Sequence, residues 1–410
     1  MVVSEFPTVS ETFIVNQIVG LIRLGHHVDI FSLNRPRDCP VHGDISRYRL
    51  LDRTHYLRHD SMSARMVSAI RHLAVTPQWL SARGVSRALL ILRTNTRQTR
   101  LSRSALTTMV SRELRSGPYD IVHCQFGNLG QRWVPVMRSG LLHGALVTSI
   151  RGHDATQKDR YNTGYYRELF RNSRLLMPVS RSLAERLLSL GCSPHKIQVL
   201  HSGIDCQRFH FRCRKRAGPE PVRILSVARL VEMKGIEYGI EAVARMLRSG
   251  SEVHYDIVGD GPLRPQLQAL IQRLGVTASV RIHGWKPHEE LVAILQAAHL
   301  FLAPSVTAEN GETEGIPNAV KEAMAVGLPV VATRHSGIPE LVIDEVSGFL
   351  VPERDCDALA AALTKLLNAP GRWPAMGQAG RAHVESEFDT NRLNQRLVDL
   401  YRAALDEART

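Results

Sequence analysis

Two glutamates, Glu314 and Glu322, lie eight positions apart within residues 301–324, a stretch that changes from strand to loop to helix. It opens with an apolar run, continues through a polar loop, and becomes helical near Pro317, because proline suits the first turn of a helix. Such a corner lies at the carboxyl end of a parallel strand, where α/β sheets bind ligands. A carboxylate accepts two hydrogen bonds and so matches two neighbouring hydroxyl groups. Taken alone, the pair suits either such a ligand or a solvated helix face.

The spacing of this pair resembles the donor-sugar motif of glycosyltransferase family 4. That family has the GT-B fold and retains the anomeric configuration of the transferred sugar. The resemblance implies that the first glutamate and the amides after it hold the donor sugar and diphosphate, and that Glu322 binds the ribose hydroxyls. Residues 306–311 are similar, more narrowly, to transferases that build exopolysaccharides of the colanic-acid type. The residues that carry the motif are Glu314, Gly315, Ile316, Pro317 and Glu322.

A second corner carries two cations, Arg229 and Lys234, after the apolar run 223–228. The family uses such a pair to neutralise the donor diphosphate, and fixed cations stabilise charge that develops on a leaving group. The loop around Gly261 lies beside the nucleotide in the family. It is not a dinucleotide fingerprint, because Arg264 occupies the place of the third glycine.

Residues 355–357 read Asp-Cys-Asp, which is the metal motif of the other large transferase fold. We interpret them instead as the cap and first-turn acids of a helix over residues 358–367. No zinc spacing, phosphate-loop lysine motif or serine elbow is present in the sequence. The sequence therefore predicts catalysis without a metal and without a cofactor.

The apolar runs 119–124 and 145–150 each end in a polar loop that contains glycine, which is typical of parallel strands that reach a cleft. The second loop reads Arg-Gly-His-Asp over residues 151–154. The resemblance implies that His153 is the active-site histidine that approaches the donor sugar. A histidine after a strand is otherwise more often structural. The sequence also predicts a strand over residues 26–31.

A helix is predicted over residues 11–24, where the apolar residues share one face. Ser10, Glu11 and Thr12 resemble the family loop that faces the cleft, where the acceptor binds, although they would also make an ordinary helix cap. Only residues 1–3 precede the polar loop, so either the first strand is very short or the chain starts further upstream.

The chain has 410 residues, more than the roughly 250–300 at which single cores stop growing, so two domains are expected. A composition of 44% hydrophobic and 22% charged residues is typical of a folded protein and excludes a disordered chain. The sequence predicts no spanning helix and no secretory signal. The six cysteines lack the spacing of a zinc site or disulfide scaffold, which predicts reduced thiols in the cytoplasm.

Two doubly wound α/β sheets are predicted from the succession of apolar runs and helices. The resemblance adds the GT-B arrangement, in which two Rossmann-like domains face a cleft and a C-terminal helix returns to the first. The predicted units are an acceptor-binding domain over residues 1–210, a linker over 211–222, a nucleotide-sugar-binding domain over 223–387 and the returning helix over 388–410.

Positive charge is concentrated in one half of the chain. Residues 1–220 hold 33 lysines and arginines against 15 acids, whereas residues 221–410 hold 19 against 24. Ten arginines and a single acid occur between residues 61 and 116, interleaved with apolar residues at helical spacing and with Trp79. This segment predicts helices on an anionic membrane surface, or else a solvated basic face.

Together these features predict a retaining, metal-independent glycosyltransferase at the inner face of the plasma membrane. It would move a hexose from a UDP- or GDP-linked sugar to a lipid-diphosphate-linked saccharide, in the synthesis of an exopolysaccharide or cell-surface polysaccharide, with His153 and Glu314 as catalytic residues. Alternatives are a soluble or small-molecule acceptor, a phosphorylase or a sugar-nucleotide epimerase. A nucleic-acid-binding protein would also explain the basic half, but the basic stretch between residues 61 and 116 has only Trp79 for base stacking.

Overall fold

The computed structural model describes residues 1–8, 12–36, 43–57, 78, 81–94, 96, 101–156, 164–216 and 218–406, and of His153 and Ala155 it describes the backbone. Two parallel six-stranded sheets form the framework, with strand orders β3-β2-β1-β4-β5-β6 and β12-β11-β10-β7-β8-β9. The strands of the first sheet are β1 (Val2–Glu5), β2 (Ile30–Asn34), β3 (Thr54–Tyr56), β4 (Ile121–Cys124), β5 (Ala145–Ile150) and β6 (Leu175–Pro178). Those of the second are β7 (Val222–Val227), β8 (Val253–Val258), β9 (Val280–Gly284), β10 (Leu300–Ala303), β11 (Val330–Thr333) and β12 (Gly348–Val351).

Helices surround both sheets. In the part of the chain that the structure describes they are α1 (Thr12–Arg23), α2 (Gly43–Arg47), α3 (Ala82–Arg93), α4 (Arg103–Ser116), α5 (Gly127–Arg138), α6 (Gly152–Thr156), α7 (Arg167–Asn172), α8 (Arg181–Ser189), α9 (Ile236–Arg248), α10 (Arg264–Arg273), α11 (His288–Ala297), α12 (Asn318–Ala325), α13 (Ile338–Leu341), α14 (Cys356–Asn368), α15 (Trp373–Glu387) and α16 (Thr390–Asp406). Short 3₁₀ turns occur at Leu50–Arg53, Pro194–Lys196, Cys206–Arg208, Glu232–Lys234 and Pro370–Arg372.

Strand β10 shows why the strands of the second sheet appear in the sequence as continuous apolar runs. Leu300 and Leu302 belong to an apolar core on one face of the sheet, while Phe301 and Ala303 belong to a separate core on the other face. All four side chains are buried. A parallel sheet that is covered by helices on both faces requires apolar residues at successive positions rather than at alternate ones.

The predicted fold class is confirmed, including the returning C-terminal helix. Helix α16 packs on α1, and the side chain of Asn394 donates to the carbonyl of Asn16 at 3.3 Å. Leu397 and Val398 are buried in the core of the first sheet. We call the first sheet with its helices and α16 the first domain, and the second sheet with its helices the second domain.

One predicted strand boundary is wrong. Residues 26–31 were expected to form the second strand, but β2 begins at Ile30. The chain first closes the end of α1, where Gly25 has a φ of 85° and the His26 N–H donates to Leu21. Strand β2 then begins opposite its partner β1, with Val2 paired to Phe31.

Polar contacts join the two domains directly at two places. The Thr313 N–H of the second domain donates to Thr156 Oγ1 of the first at 3.2 Å. The Arg181 N–H at the start of α8 donates to Glu340 Oε1 of α13 at 2.7 Å. The two domains are therefore held together by specific polar contacts.

Among the described residues, none of the helices has the length and apolar character needed to cross a membrane.

Candidate active site

The two predicted corners lie side by side at the centre of the second sheet. Strands β7 and β10 are neighbours, with β8 and β9 beyond β7 and with β11 and β12 beyond β10. The chain therefore reverses its direction of winding between β7 and β10. Such a switch point opens a crevice outside the carboxyl ends of the two strands, which is where open α/β sheets bind ligands.

Lys234 and Glu314 form an ion pair across this crevice. The carboxylate of Glu314 is almost fully buried and the ammonium of Lys234 is largely so, at 10% and 20% side-chain exposure. The turn that holds Lys234 ends at Gly235, which has a φ of 57°. A Cβ at Gly235 would lie 2.0 Å from the Pro304 carbonyl oxygen, so only glycine allows this turn to pack on the loop after β10.

Arg229 is exposed at the end of β7, and no described residue forms an ion pair with it. The neighbouring loop after β8 packs closely on the Arg229 segment. A Cβ at Gly261 would lie 2.4 Å from the Leu230 carbonyl oxygen, and the Leu230 N–H donates to the Asp260 carbonyl at 2.9 Å. The Gly261 loop and the two cations thus lie along the same edge of the sheet.

Glu322 lies on α12, whose N-cap is Pro317. Its side chain is partly exposed, and no side chain of the described residues hydrogen-bonds to it. Burial raises the pKa of Glu322, while the positive charges of Lys321 and Arg208 partly oppose this shift. The carboxylate is therefore held on a rigid helix with its hydrogen-bonding capacity available to a ligand.

The sequence analysis did not identify Lys321, which forms a contact between the two domains. Its side chain is fully buried, and Nζ donates to the carbonyl and the hydroxyl oxygens of Ser202 in the first domain, the latter at 3.1 Å. Burial lowers the pKa of Lys321 to about 7, despite the nearby charge of Glu322. The available signal was a lysine among the small residues of a predicted helix. Such a helix is expected to pack closely, and a buried ammonium group needs a hydrogen-bond acceptor elsewhere in the chain.

The loop predicted over residues 151–154 is wrong in part, because His153 lies in the short helix α6, whose first residue packs directly against the Glu314 loop. A Cβ at Gly152 would lie 2.7 Å from the Thr313 carbonyl oxygen and 3.0 Å from the Gly315 nitrogen. The backbone of His153 is therefore brought beside the loop that holds Glu314, while its side chain lies outside the described residues. Ile316 is buried, at 7% exposure, in the apolar core below this loop.

The predicted cleft loop at the start of α1 is described only in part. Ser10 and Glu11 lie outside the described residues, and α1 begins at Thr12. The next residue, Phe13, lies under Arg151, whose guanidinium carbon is 3.8 Å from the ring centroid. This cation–π contact joins α1 to Arg151, the residue directly before the helix α6 that contains His153.

The Asp-Cys-Asp run opens a helix, as expected. Asp355 is the N-cap of α14 and accepts a hydrogen bond from the Ala358 N–H at 2.8 Å. Asp357 pairs with Arg245. Within the described ranges, no three His, Cys, Asp or Glu side chains lie close enough together to hold a metal ion.

Two models of known families together match nearly the whole chain. Residues 10–208 match the model described as Glycosyltransferase Family 4, and residues 209–383 match that of Glycosyl transferases group 1. The amylovoran biosynthesis glycosyltransferase AmsK of Erwinia amylovora is 36% identical over 97% of both chains. The putative colanic acid biosynthesis glycosyltransferase WcaL of Escherichia coli is 37% identical over 97% of this chain and 98% of its own.

Solved structures share the fold at lower sequence identity. Anabaena Alr3699/HepE, in complex with UDP and glucose, is 16% identical and superposes with a TM-score of 0.68 over 98% of this chain and 99% of its own. Sucrose-phosphate synthase from Thermosynechococcus elongatus is 19% identical, with a TM-score of 0.71 over 99% and 100%. With its fold and its near full-length relatives, the chain belongs to glycosyltransferase family 4.

Proposed function

We propose that this protein is a retaining glycosyltransferase that moves a hexose from a nucleotide-diphosphate sugar to a growing lipid-linked saccharide in exopolysaccharide biosynthesis. The observation that carries the proposal is the crevice between β7 and β10, where Arg229 follows β7, Lys234 pairs with Glu314, and the backbone of the Glu314 loop lies against Gly152 of the first domain. The names of AmsK and WcaL, which resemble this chain over nearly its full length, support the exopolysaccharide assignment.

The arrangement supports a nucleotide-diphosphate sugar as donor. Arg229 is exposed, and Lys234 lies at the end of the same corner, where a diphosphate that enters the crevice would replace Glu314 as its partner. Glu322 is suited to the two ribose hydroxyls because its carboxylate has no described side-chain hydrogen bond. The UDP and glucose bound by Anabaena Alr3699/HepE are consistent with this class of donor.

The retaining mechanism requires no protein base. The acceptor hydroxyl attacks from the side of the leaving group, and the departing phosphate takes its proton. Arg229 and Lys234 would stabilise the charge that develops on this phosphate, which is the role a metal plays in other transferases. Because Glu314 is buried against Lys234, its carboxylate is suited to hold donor hydroxyls rather than to attack the sugar.

A membrane-bound acceptor is supported by the outer face of α3. Val85, Leu89 and Leu92 share this face at helical spacing and are 53%, 50% and 60% exposed. Arg83 and Arg93 at the two ends of the helix are exposed as well. Large apolar side chains flanked by arginines suit the headgroup region of an anionic bilayer.

Not every arginine of the basic segment is available for lipid. Arg112 of α4 forms a two-pronged ion pair with the buried Asp29, at 2.8 and 3.0 Å. Arg87 of α3 lies 3.5 Å from Glu113. These two arginines hold α3 and α4 on the first domain, so we place the docking surface on the outer face of α3. Residues 61–77, 79, 80, 95 and 97–100 of the predicted basic segment, Trp79 among them, lie outside the described residues.

Replacing Glu322 tests the donor site. Glu322→Ala should lower kcat/KM for the nucleotide-sugar donor by roughly 30- to 1,000-fold, which corresponds to ~2–4 kcal/mol for charge-assisted hydrogen bonds to ribose. The matched control is Glu309→Ala, which removes an exposed carboxylate from the loop that precedes α12. Hydrolysis of UDP- and GDP-sugars is the measurement. Wild-type kinetics in a folded Glu322→Ala variant would contradict the assignment.

Replacing Arg229 tests whether protein cations carry the diphosphate charge. Arg229→Met should lower turnover about 100-fold without changing Tm, because the side chain is exposed, and the wild type should keep its activity in excess EDTA. Arg223→Met, which removes an exposed arginine near the other end of β7, is the control. Activity that EDTA abolishes and magnesium restores would show that a metal carries this charge.

Replacing the apolar stripe of α3 tests membrane docking. The triple variant Val85→Ser, Leu89→Ser and Leu92→Ser should reduce flotation with phosphatidylglycerol vesicles about tenfold or more, because each side chain loses its burial in lipid. Donor hydrolysis should be unchanged.

The matched control for this variant is Ile343→Ser with Val346→Ser, two residues of the second domain that are 41% and 49% exposed. Wild-type binding should also weaken steeply with salt. A wild type that does not float would favour a soluble acceptor, and a triple variant that still floats would exclude α3 as the docking face.

A further inference from the structure

His335 lies behind the Glu314 loop and is bonded at both ring nitrogens. The side chain is fully buried. Its Nε2 lies 3.0 Å from the backbone nitrogen of Glu314, and its Nδ1 lies 2.6 Å from Glu353 Oε1. His335 follows β11 and Glu353 follows β12, so the ends of two further strands reach the loop of β10 through this one ring.

The partners of the ring determine its tautomer. A backbone N–H can only donate, so Nε2 must accept from Glu314 and the ring proton must reside on Nδ1, where it is donated to Glu353. An imidazolium would direct an N–H at the N–H of Glu314. The arrangement therefore selects the neutral ring with its proton on Nδ1.

Glu353 is a fixed acceptor for this proton. Its carboxylate also accepts the Thr307 N–H at 2.7 Å. Burial alone would raise the pKa of Glu353, but the hydrogen bonds from Thr307 and His335 outweigh this effect and lower it. An ionised carboxylate beside Nδ1 holds both the tautomer and the orientation of the ring.

The next residue holds the other side of Glu314. Ser336 Oγ donates to the Glu314 carbonyl oxygen at 2.6 Å. Because a peptide unit is planar and trans, fixing this carbonyl makes the Gly315 N–H point the opposite way. Gly337 lies against the next peptide unit, since a Cβ there would be 2.4 Å from the Gly315 carbonyl oxygen. Three successive residues thus hold the Glu314–Gly315 backbone.

We propose that His335 is a positioning residue for glycosyl transfer, whose neutral ring holds the Glu314 backbone so that the carboxylate and the Gly315 N–H are aligned for the donor. This inference rests on the proposed donor site. The Glu314 N–H is bonded to His335 and is not available to a donor, whereas the Gly315 N–H makes no hydrogen bond within the described residues.

Two amide variants test separately the two hydrogen bonds of the His335 ring, one with the Glu314 N–H and one with Glu353. The side chain of His335→Gln can bring an oxygen to the position of Nε2 and accept from Glu314. The side chain of His335→Asn reaches only the position of Nδ1, so it can donate to Glu353 but leaves the Glu314 N–H unpaired. We expect donor kcat/KM within a few-fold of wild type for His335→Gln and about 10- to 100-fold lower for His335→Asn, as for one lost buried hydrogen bond.

Tm and ring protonation complete the test. The two variants should have similar Tm, because each keeps one of the two bonds. Equal activity in both variants, or activity that follows Tm, would make His335 merely structural and overturn the proposal. Independently of activity, ¹⁵N NMR of the wild type, assigned by difference from His335→Asn, should find the proton on Nδ1 alone. A proton on Nε2 would overturn the proposal about His335 even if the enzyme is the proposed transferase. A wild type that hydrolyses no nucleotide sugar would instead refute the proposed function.

Discussion

The site depends on one backbone contact between the domains, at which there is no room for a Cβ. Gly152 of the first domain lies against the Thr313–Gly315 backbone of the second, and an added methyl group would overlap both backbone atoms nearest to it. Domains of one chain usually move relative to each other unless a specific contact holds them. Here the contact lies within the proposed site, so closing the two domains would also assemble that site.

Closure also sets the strength of the charges in the crevice. Glu314 and Lys234 are both largely removed from water, where opposite charges attract more strongly but where an unpaired charge is costly. In the proposed function, an entering diphosphate would take Lys234 as a partner while the sugar hydroxyls would take Glu314, so the ion pair would be exchanged for ligand contacts without leaving either charge alone. Lys321 and its bond to Ser202 place a further buried cation at the same seam.

Much of the framework could be predicted because buried parallel strands have a local signature. Residues 145–150 were predicted as a strand and are observed with those bounds, since strands covered on both faces read as plain apolar runs. The corners that carry Glu314 and Lys234 follow such runs. Their position at one edge of the sheet could therefore also be predicted from the sequence.

The remaining features depend on contacts between distant parts of the chain. The start of β2 depends on where its partner β1 begins, which the apolar pattern of residues 26–31 does not contain. Lys321 bonds to a residue 119 positions away, and His335 to one 21 positions away. A single sequence carries no signal that joins such residues, and only the packed structure reveals them.

The central claim, that the two domains build the site by closing at Gly152, is tested most directly by the steady-state turnover of Gly152→Ala. The control is Gly371→Ala, where a Cβ would have nothing within 4 Å. The account predicts at least about a tenfold loss of kcat for Gly152→Ala at unchanged Tm, because the methyl group holds the cleft open without disturbing either core. Gly371→Ala should behave as wild type. Wild-type turnover in Gly152→Ala would contradict the account.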